Sequence, residues 1–265
     1  MPNKSHLASG NILAAAQHAF QKTVLYTQLF GKVPEACETV PYISHFNYHQ
    51  ASGVLDCIDQ DVDIIGALPP FHRNFGRFPF TVVEGGNDLI LRQERIVRAL
   101  IDIGIQKNSR KSILIIADDS TGPFASDLST GLGWEQHQSS ICYLNGYKKD
   151  LQDQIKAHEP DFIFWCLIQP PDDWIKMEPE RIILALHIDY PIPKPKFAAW
   201  LFADEINILG SRPADRVAFD IDQEQFFIEN HPVSGLPHLT TLGTVVYPFI
   251  RYGFDQSIPV LGNIR

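Results

Sequence analysis

Apolar positions in the first thirty residues fall at helical spacing. Ile12, Leu13, Ala16, Ala19, Phe20 and Thr23 recur on one face, and the pattern stops at Leu29-Phe30-Gly31, where a glycine can close a helix. Val40–Ser44 follows as an extended step, and Tyr48–Leu55 reads as a short second helix. From Asp59 to Pro79 the chain is irregular, punctuated by Pro69, Pro70 and Pro79.

A strand–helix rhythm then sets in. Phe80–Val83 predicts a short strand, Glu84–Asp88 a loop, and Leu89–Ile105 an amphipathic helix. Ser112–Ala117 is a continuous apolar run, the pattern of a strand covered on both faces. It leads into Asp118-Asp119-Ser120-Thr121-Gly122-Pro123, which reads as a turn and helix N-cap at a strand end. Strands over Ser140–Leu144 and Asp161–Ile168 flank a helix over Lys149–His158, so parallel pairing through crossover helices is expected. His187-Ile188-Asp189, followed by Pro191, Pro193 and Pro195, reads as a loop. The last third changes character: Val217–Ile221, Gln225–Glu229, His238–Leu242 and Val245–Arg251 are short strands separated by turn residues. The expected fold is α/β, a mainly parallel sheet with crossover helices plus a C-terminal antiparallel or barrel-like β unit. The expected division is a helical segment over 1–75, a parallel part over 76–210 and a small β part over 211–265, packed as one compact unit.

Composition narrows the function. The chain has 265 residues, 45% of them hydrophobic, and a net charge of −9. That charge disfavours nucleic acid and anionic membrane surfaces, which both need a basic field. No apolar run approaches a membrane span and the N-terminus does not read as a signal peptide, so a cytoplasmic setting is expected. Cys37, Cys57, Cys142 and Cys166 show no Cys-x-x-Cys spacing, which argues against a zinc site or a disulfide framework. There is no Gly-x-Ser-x-Gly elbow, no Walker-type phosphate loop and no dinucleotide fingerprint. His45 and His49 stand one helical turn apart without the glutamate of a metalloprotease, and His72, Arg73 and Arg77 read as solvated surface. Trp134 and Trp165 are expected in the core.

Several segments, taken in order, resemble the large domain of adenylate-forming carboxylate ligases, in particular the phenylacetate–coenzyme A ligase branch. They are the opening helix with Leu25-Tyr26-Thr27-Gln28-Leu29-Phe30, the step Val40-Pro41-Tyr42-Ile43-Ser44, and Leu201-Phe202-Ala203-Asp204-Glu205. The most specific block is Thr240-Thr241-Leu242 followed by Tyr247-Pro248-Phe249-Ile250-Arg251-Tyr252-Gly253-Phe254-Asp255. The resemblance implies ATP or AMP and Mg²⁺ as ligands and a small carboxylate as substrate. It places the metal on Glu205 beside Asp204, the ribose on Asp255 with Arg251 in the same block, and the phosphates at Gly85 and Gly86. Each acidic or basic member also has a plain structural reading: Asp204 and Glu205 capping a turn, Asp255 opening one, Arg251 in a surface ion pair.

The departures from that pattern are chemical. Where the family carries a Ser/Thr/Gly-rich phosphate loop, this chain has Val83-Glu84-Gly85-Gly86-Asn87-Asp88, with two carboxylates beside the place of a polyphosphate. The sequence ends ten residues after Asp255, before the family's lid domain with its lysine. The reading is therefore a degenerate, ligase-like protein, a pseudoenzyme that binds or scaffolds, or a partial subunit completed by another chain. A protein partner or a second copy of the chain would serve that role. The alternative is an active acyl-adenylating enzyme that converts a carboxylate and ATP to acyl-AMP and onward to a thioester.

Overall fold

A computed structural model of the chain describes residues 4–44, 59, 64–67, 83–106, 109–119, 121–144, 148–167, 178–188, 192–203, 207–243, 248–254 and 257–261. Two compact units emerge: one built from 1–70, 75–90 and 221–265, the other from 71–74 and 91–220.

The first unit opens with helices α1 (Lys4–Lys22) and α2 (Val24–Phe30). Thr23 separates them: its hydroxyl donates to the Ala19 carbonyl and accepts from Tyr26 N–H, satisfying one of the orphan donors at the start of α2. Gly31, at φ +69°, closes α2 in the left-handed conformation that glycine adopts without steric cost. Strands β1 (Ile64–Ala67) and β2 (Val83–Gly85) pair antiparallel. Strands β10 (Phe226–Asn230), β11 (Pro237–Thr241) and β12 (Tyr252–Gly253) form a small antiparallel sheet. Ile43 joins this unit by a bridge to Tyr252.

The second unit is the parallel part. Helix α3 (Gly86–Asp102) leads into β3 (Ser112–Ala117), α4 (Gly122–Trp134), β4 (Gln138–Tyr143), α5 (Lys148–His158) and β5 (Phe162–Trp165). Strands β6 (Ile182–His187), β7 (Ala198–Ala203), β8 (Asn207–Arg212) and β9 (Phe219–Ile221) follow. Seven strands run in the order β9-β8-β7-β6-β5-β3-β4. β4, β3, β5, β6 and β7 are parallel neighbours, and β8 returns antiparallel to β7. Ile113–Ala117, Ile163–Trp165 and Ile182–Leu186 are buried along their length, as strands covered on both faces must be. Helices α3 and α4 are tied by the buried ion pair Arg92–Asp127 at 2.7 Å. Gly131 admits the close approach, since a Cβ there would meet the Ile96 δ-methyl at 2.3 Å.

Several elements differ from the sequence expectation: Glu84–Asp88, expected as a loop, is divided between β2 and α3, and 248–251, expected in a strand, lies before the strand β12. Ile182–His187 is a fully buried strand that takes in the first residue of the expected loop, β7 is the strand expected to follow that loop, and β8 was not expected. Trp165 is in the core, but Trp134 is 55% exposed at the end of α4. The expected helix Tyr48–Leu55 and the motifs at His45/His49 and His72–Arg77 lie outside the described residues. No helix among the described residues is long and apolar enough to cross a membrane.

Packing depth predicts the response to truncation. Ile115→Ala, at a fully buried position of β3, is expected to cost about 2–5 kcal/mol. Ile101→Ala, on a residue 56% exposed on α3, is expected to stay within about 0.5 kcal/mol. Urea unfolding of both variants checks the contrast.

Candidate functional site

Two places gather polar chemistry, one in each unit. In the second unit, β3 connects through α4 to β4 on one side, and β5, β6 and β7 continue on the other. The strand order therefore reverses between β3 and β5, the point at which open α/β sheets hold ligands beyond their carboxyl ends. Asp118 follows β3 there. Its carboxylate accepts from Thr121 N–H at 3.0 Å and from the Thr121 hydroxyl at 3.2 Å, while Thr121 Oγ1 accepts from Asp118 N–H at 3.1 Å. Asp118 and Thr121 thus close the turn into α4, as the sequence reading expected. Cys166 follows β5 fully buried; desolvation and the neighbouring Asp118 charge push its thiol well up, which favours the neutral form. His187 ends β6 edge-on to Phe202 at 5.0 Å, and Phe202 stacks on Phe124 at 3.9 Å. The edge of the sheet is thus an aromatic floor with a turn-bound carboxylate. Asp204 and Glu205, the residues after β7, lie outside the described residues.

In the first unit, Arg251 is buried, not on the surface. Its Nε donates to Glu229 Oε1 at 2.7 Å and its Nη1 to the Val40 carbonyl. Nη2 reaches Glu229 Oε2 and Cys37 Sγ, both at 3.4 Å. The guanidinium lies 4.4 Å from the centre of the Tyr42 ring, a cation–π contact. Tyr42 in turn meets His231 and His238 edge-on, and its hydroxyl donates to Glu229. Burial and the Glu229 charge raise the Tyr42 phenol above its ordinary value. Burial holds His238 below the ordinary histidine value, with Nδ1 against the Leu236 carbonyl. Arg251 keeps this place at φ +49°, a left-handed backbone that costs a non-glycine residue energy and that its side-chain ties offset. Every guanidinium nitrogen is thus engaged within the protein. Tyr42, Glu229, His231 and His238 were not singled out by sequence reasoning: only the fold brings them beside Arg251.

Gly85 ends β2 opposite Ile64, and Gly86 begins the seventeen-residue α3. This strand-to-helix junction offers backbone N–H groups and the positive end of the helix dipole. Glu84 lies in β2 and Asp88 in the first turn of α3. Asp255 lies outside the described residues. The chain runs toward it from the His238 end of the hairpin, where Gly253 opposes His238. At the opposite end, Thr241, Leu242 and Pro248 join α1 around an open cleft of about 660 Å³ that includes His18 and Glu224. Among the described residues, no group of three or more His, Cys, Asp or Glu side chains is placed to hold a metal.

No protein-family model matches the chain, and no curated protein matches it in sequence. Solved structures do match. 2-Hydroxyisobutyryl-CoA ligase in complex with 2-HIB-AMP and CoA, in its thioesterification state, superposes with a TM-score of 0.67 at 14% identity over 96% of this chain and 63% of the ligase. Its postadenylation state with R3-HIB-AMP gives 0.68 at 13% identity over 92% and 60%, and an open conformation gives 0.64 at 14% over 92% and 67%. This chain spans about three-fifths to two-thirds of the ligase chains. At these identities the likeness is one of fold alone: the α/β architecture of this chain is similar to that of 2-hydroxyisobutyryl-CoA ligase.

Two outcomes follow for the arginine cluster. Arg251→Met strands the Glu229 carboxylate and is expected to lower stability by about 3–5 kcal/mol; Arg251→Lys, lacking the planar fork, should recover little of it. The His238 value is depressed in the folded state, so the unfolded chain binds more protons as pH falls below about 6.5. Stability should therefore be complete above that pH and decline below it. His137, also held low by burial, contributes in the same direction. Urea midpoints between pH 5 and 7.5 check the slope, which His238→Gln should reduce.

Proposed function

We propose that this chain is a degenerate adenylate-forming-ligase-like protein that works in the cytoplasm as a binding or scaffolding pseudoenzyme and does not complete acyl-adenylate formation. The observation that carries the reading is the junction of β2 and α3, where Glu84 and Asp88 flank Gly85-Gly86. A phosphate oxygen about 5 Å from one such carboxylate meets a repulsion of about 3 kcal/mol at an effective dielectric near 20. The helix dipole that would favour the phosphate is worth about 0.3–1 kcal/mol. Without a cation bridging carboxylate and phosphate, the repulsion is the larger of the two. The complete engagement of Arg251 by Glu229, Val40 and Cys37 adds support, since the cation in the block before Asp255 has structural partners for each nitrogen.

The contrary reading is an active enzyme that activates a small carboxylate, with Glu205 on the metal, Asp255 on the ribose and Gly85 and Gly86 at the phosphates. ATP–pyrophosphate exchange over a broad panel of carboxylates separates the two. No exchange above a protein-free control is expected; robust exchange with any carboxylate would reject the pseudoenzyme.

A further inference from the structure

Among the described residues, β4 is the last strand of the parallel sheet and no strand pairs with its outer side. Its register with β3 runs without a bulge from Ser112↔Gln138 to Ala117↔Tyr143. Gln138 N–H donates to the Lys111 carbonyl and Leu144 N–H to the Ala117 carbonyl. With a period of two, the even-numbered residues face β3, and Ser139, Ile141 and Tyr143 turn their main-chain N–H and C=O groups outward. Edge strands are ordinarily guarded by a lysine, a proline, an inward charge or a bulge; Gln138–Tyr143 has none of these. From Gln136 to Tyr147, His137 is the only acidic or basic side chain of the Asp, Glu, Lys, Arg and His types, in a chain whose net charge is −9.

We propose that the open edge of β4 is a two-fold interface on which a second copy of this chain pairs antiparallel, extending the sheet across the dimer. The charge distribution selects this occupant. Two copies at −9 each repel wherever acidic surface meets acidic surface, whereas the β4 strip brings neutral surface to its own neutral counterpart, the self-complementarity that a two-fold contact requires. Main-chain geometry selects the register. With Ile141 opposite its own counterpart, Ser139 faces the partner's Tyr143 and the reverse, so every outward group of the strand is paired, in about six hydrogen bonds. A register centred on Ser140 leaves Tyr143 unpaired.

The exposed aromatics fit the same arrangement. Helix α4 runs antiparallel to β4: Gly122 lies against Tyr143, and Ser129 Oγ is 2.8 Å from Ser139 Oγ. Trp134, the last residue of α4, therefore lies toward the Gln138 end. Tyr143 is 48% exposed and Trp134 55%. Antiparallel pairing brings the partner's Tyr143 to Ser139 on the α4 face, toward Trp134, at both ends of the interface. The contact closes on itself, since each copy uses its β4 edge once.

Sedimentation equilibrium of the full chain tests the proposal. A dimer that dissociates on dilution is expected, and Ile141→Pro, which removes an outward N–H and leaves the β3 ladder intact, should weaken it at least ten-fold. Ser140→Cys gives a second readout that does not depend on the proline variant folding. In the proposed register Ser140 opposes the partner's Cys142 at a Cα separation of about 4.5 Å, within disulfide range. Mild oxidation should then yield a disulfide-linked dimer that Ser140→Cys/Cys142→Ser does not form. A native chain that stays monomeric up to about 100 μM, weaker than a specific dimer needs to be, overturns the proposal. So does a dimer that Ser140→Cys does not cross-link.

Discussion

The second unit is organised by one constraint: β3, β5, β6 and β7 are apolar on both faces, so neither face can be left to water. Ile113, Ile115, Ile163, Phe164, Ile183 and Leu201 are all close to fully buried, and each such side chain contributes about 1.5–3 kcal/mol when removed from water. Helices α4 and α5 cross over between β3, β4 and β5 and make them parallel neighbours, whereas the described residues between β6 and β7 hold no helix. Because β4 is laid down on one side of β3 and β5 on the other, the loops after β3 and β5 part at the carboxyl edge. The Asp118 turn, Cys166, His187 and the Phe124–Phe202 stack are brought to that edge as a consequence of burial.

The first unit answers a different problem, how to keep a cation away from water. Arg251 carries its charge into a buried position, and the carboxylate of Glu229, the Val40 carbonyl, Cys37 and the Tyr42 ring surround it. A buried pair of this kind adds little over a well-packed apolar replacement but is costly to break. Its use is to fix geometry: the same arginine joins the Val40–Ile43 step to β10 and to the start of β12, where the Ile43 bridge to Tyr252 completes the connection. Four of the five N–H donors of the guanidinium fork are thereby given to the protein.

These two problems differ in how far they can be read from the sequence. Ser112–Ala117 was legible to the residue, and α5 to within one residue, because a long apolar run and an amphipathic period are local signals. β6 was obscured by the prolines that follow it, and Asn207–Arg212 has too little apolar content to announce a strand. Trp134 reads as core by residue type, yet lies at a helix end where burial depends on the neighbours. Arg251 was marked by its motif, but its partners Val40 and Cys37 are more than two hundred residues away, and no spacing rule spans that distance. The Asp118–Thr121 turn was readable because its hydrogen bonds are made within four residues.

The proposed pseudoenzyme turns on whether the acidic residues around Gly85-Gly86 exclude a nucleotide from a fold that resembles 2-hydroxyisobutyryl-CoA ligase. Thermal unfolding with ATP and Mg²⁺, on the native chain and on Asp255→Ala, tests it most directly. A ligand at a hundred times its dissociation constant adds about 2.7 kcal/mol, a rise of several degrees for a chain of this size. The account predicts no rise with ATP and Mg²⁺ in either protein. A rise of several degrees in the native chain that Asp255→Ala abolishes would contradict it and show a working nucleotide pocket.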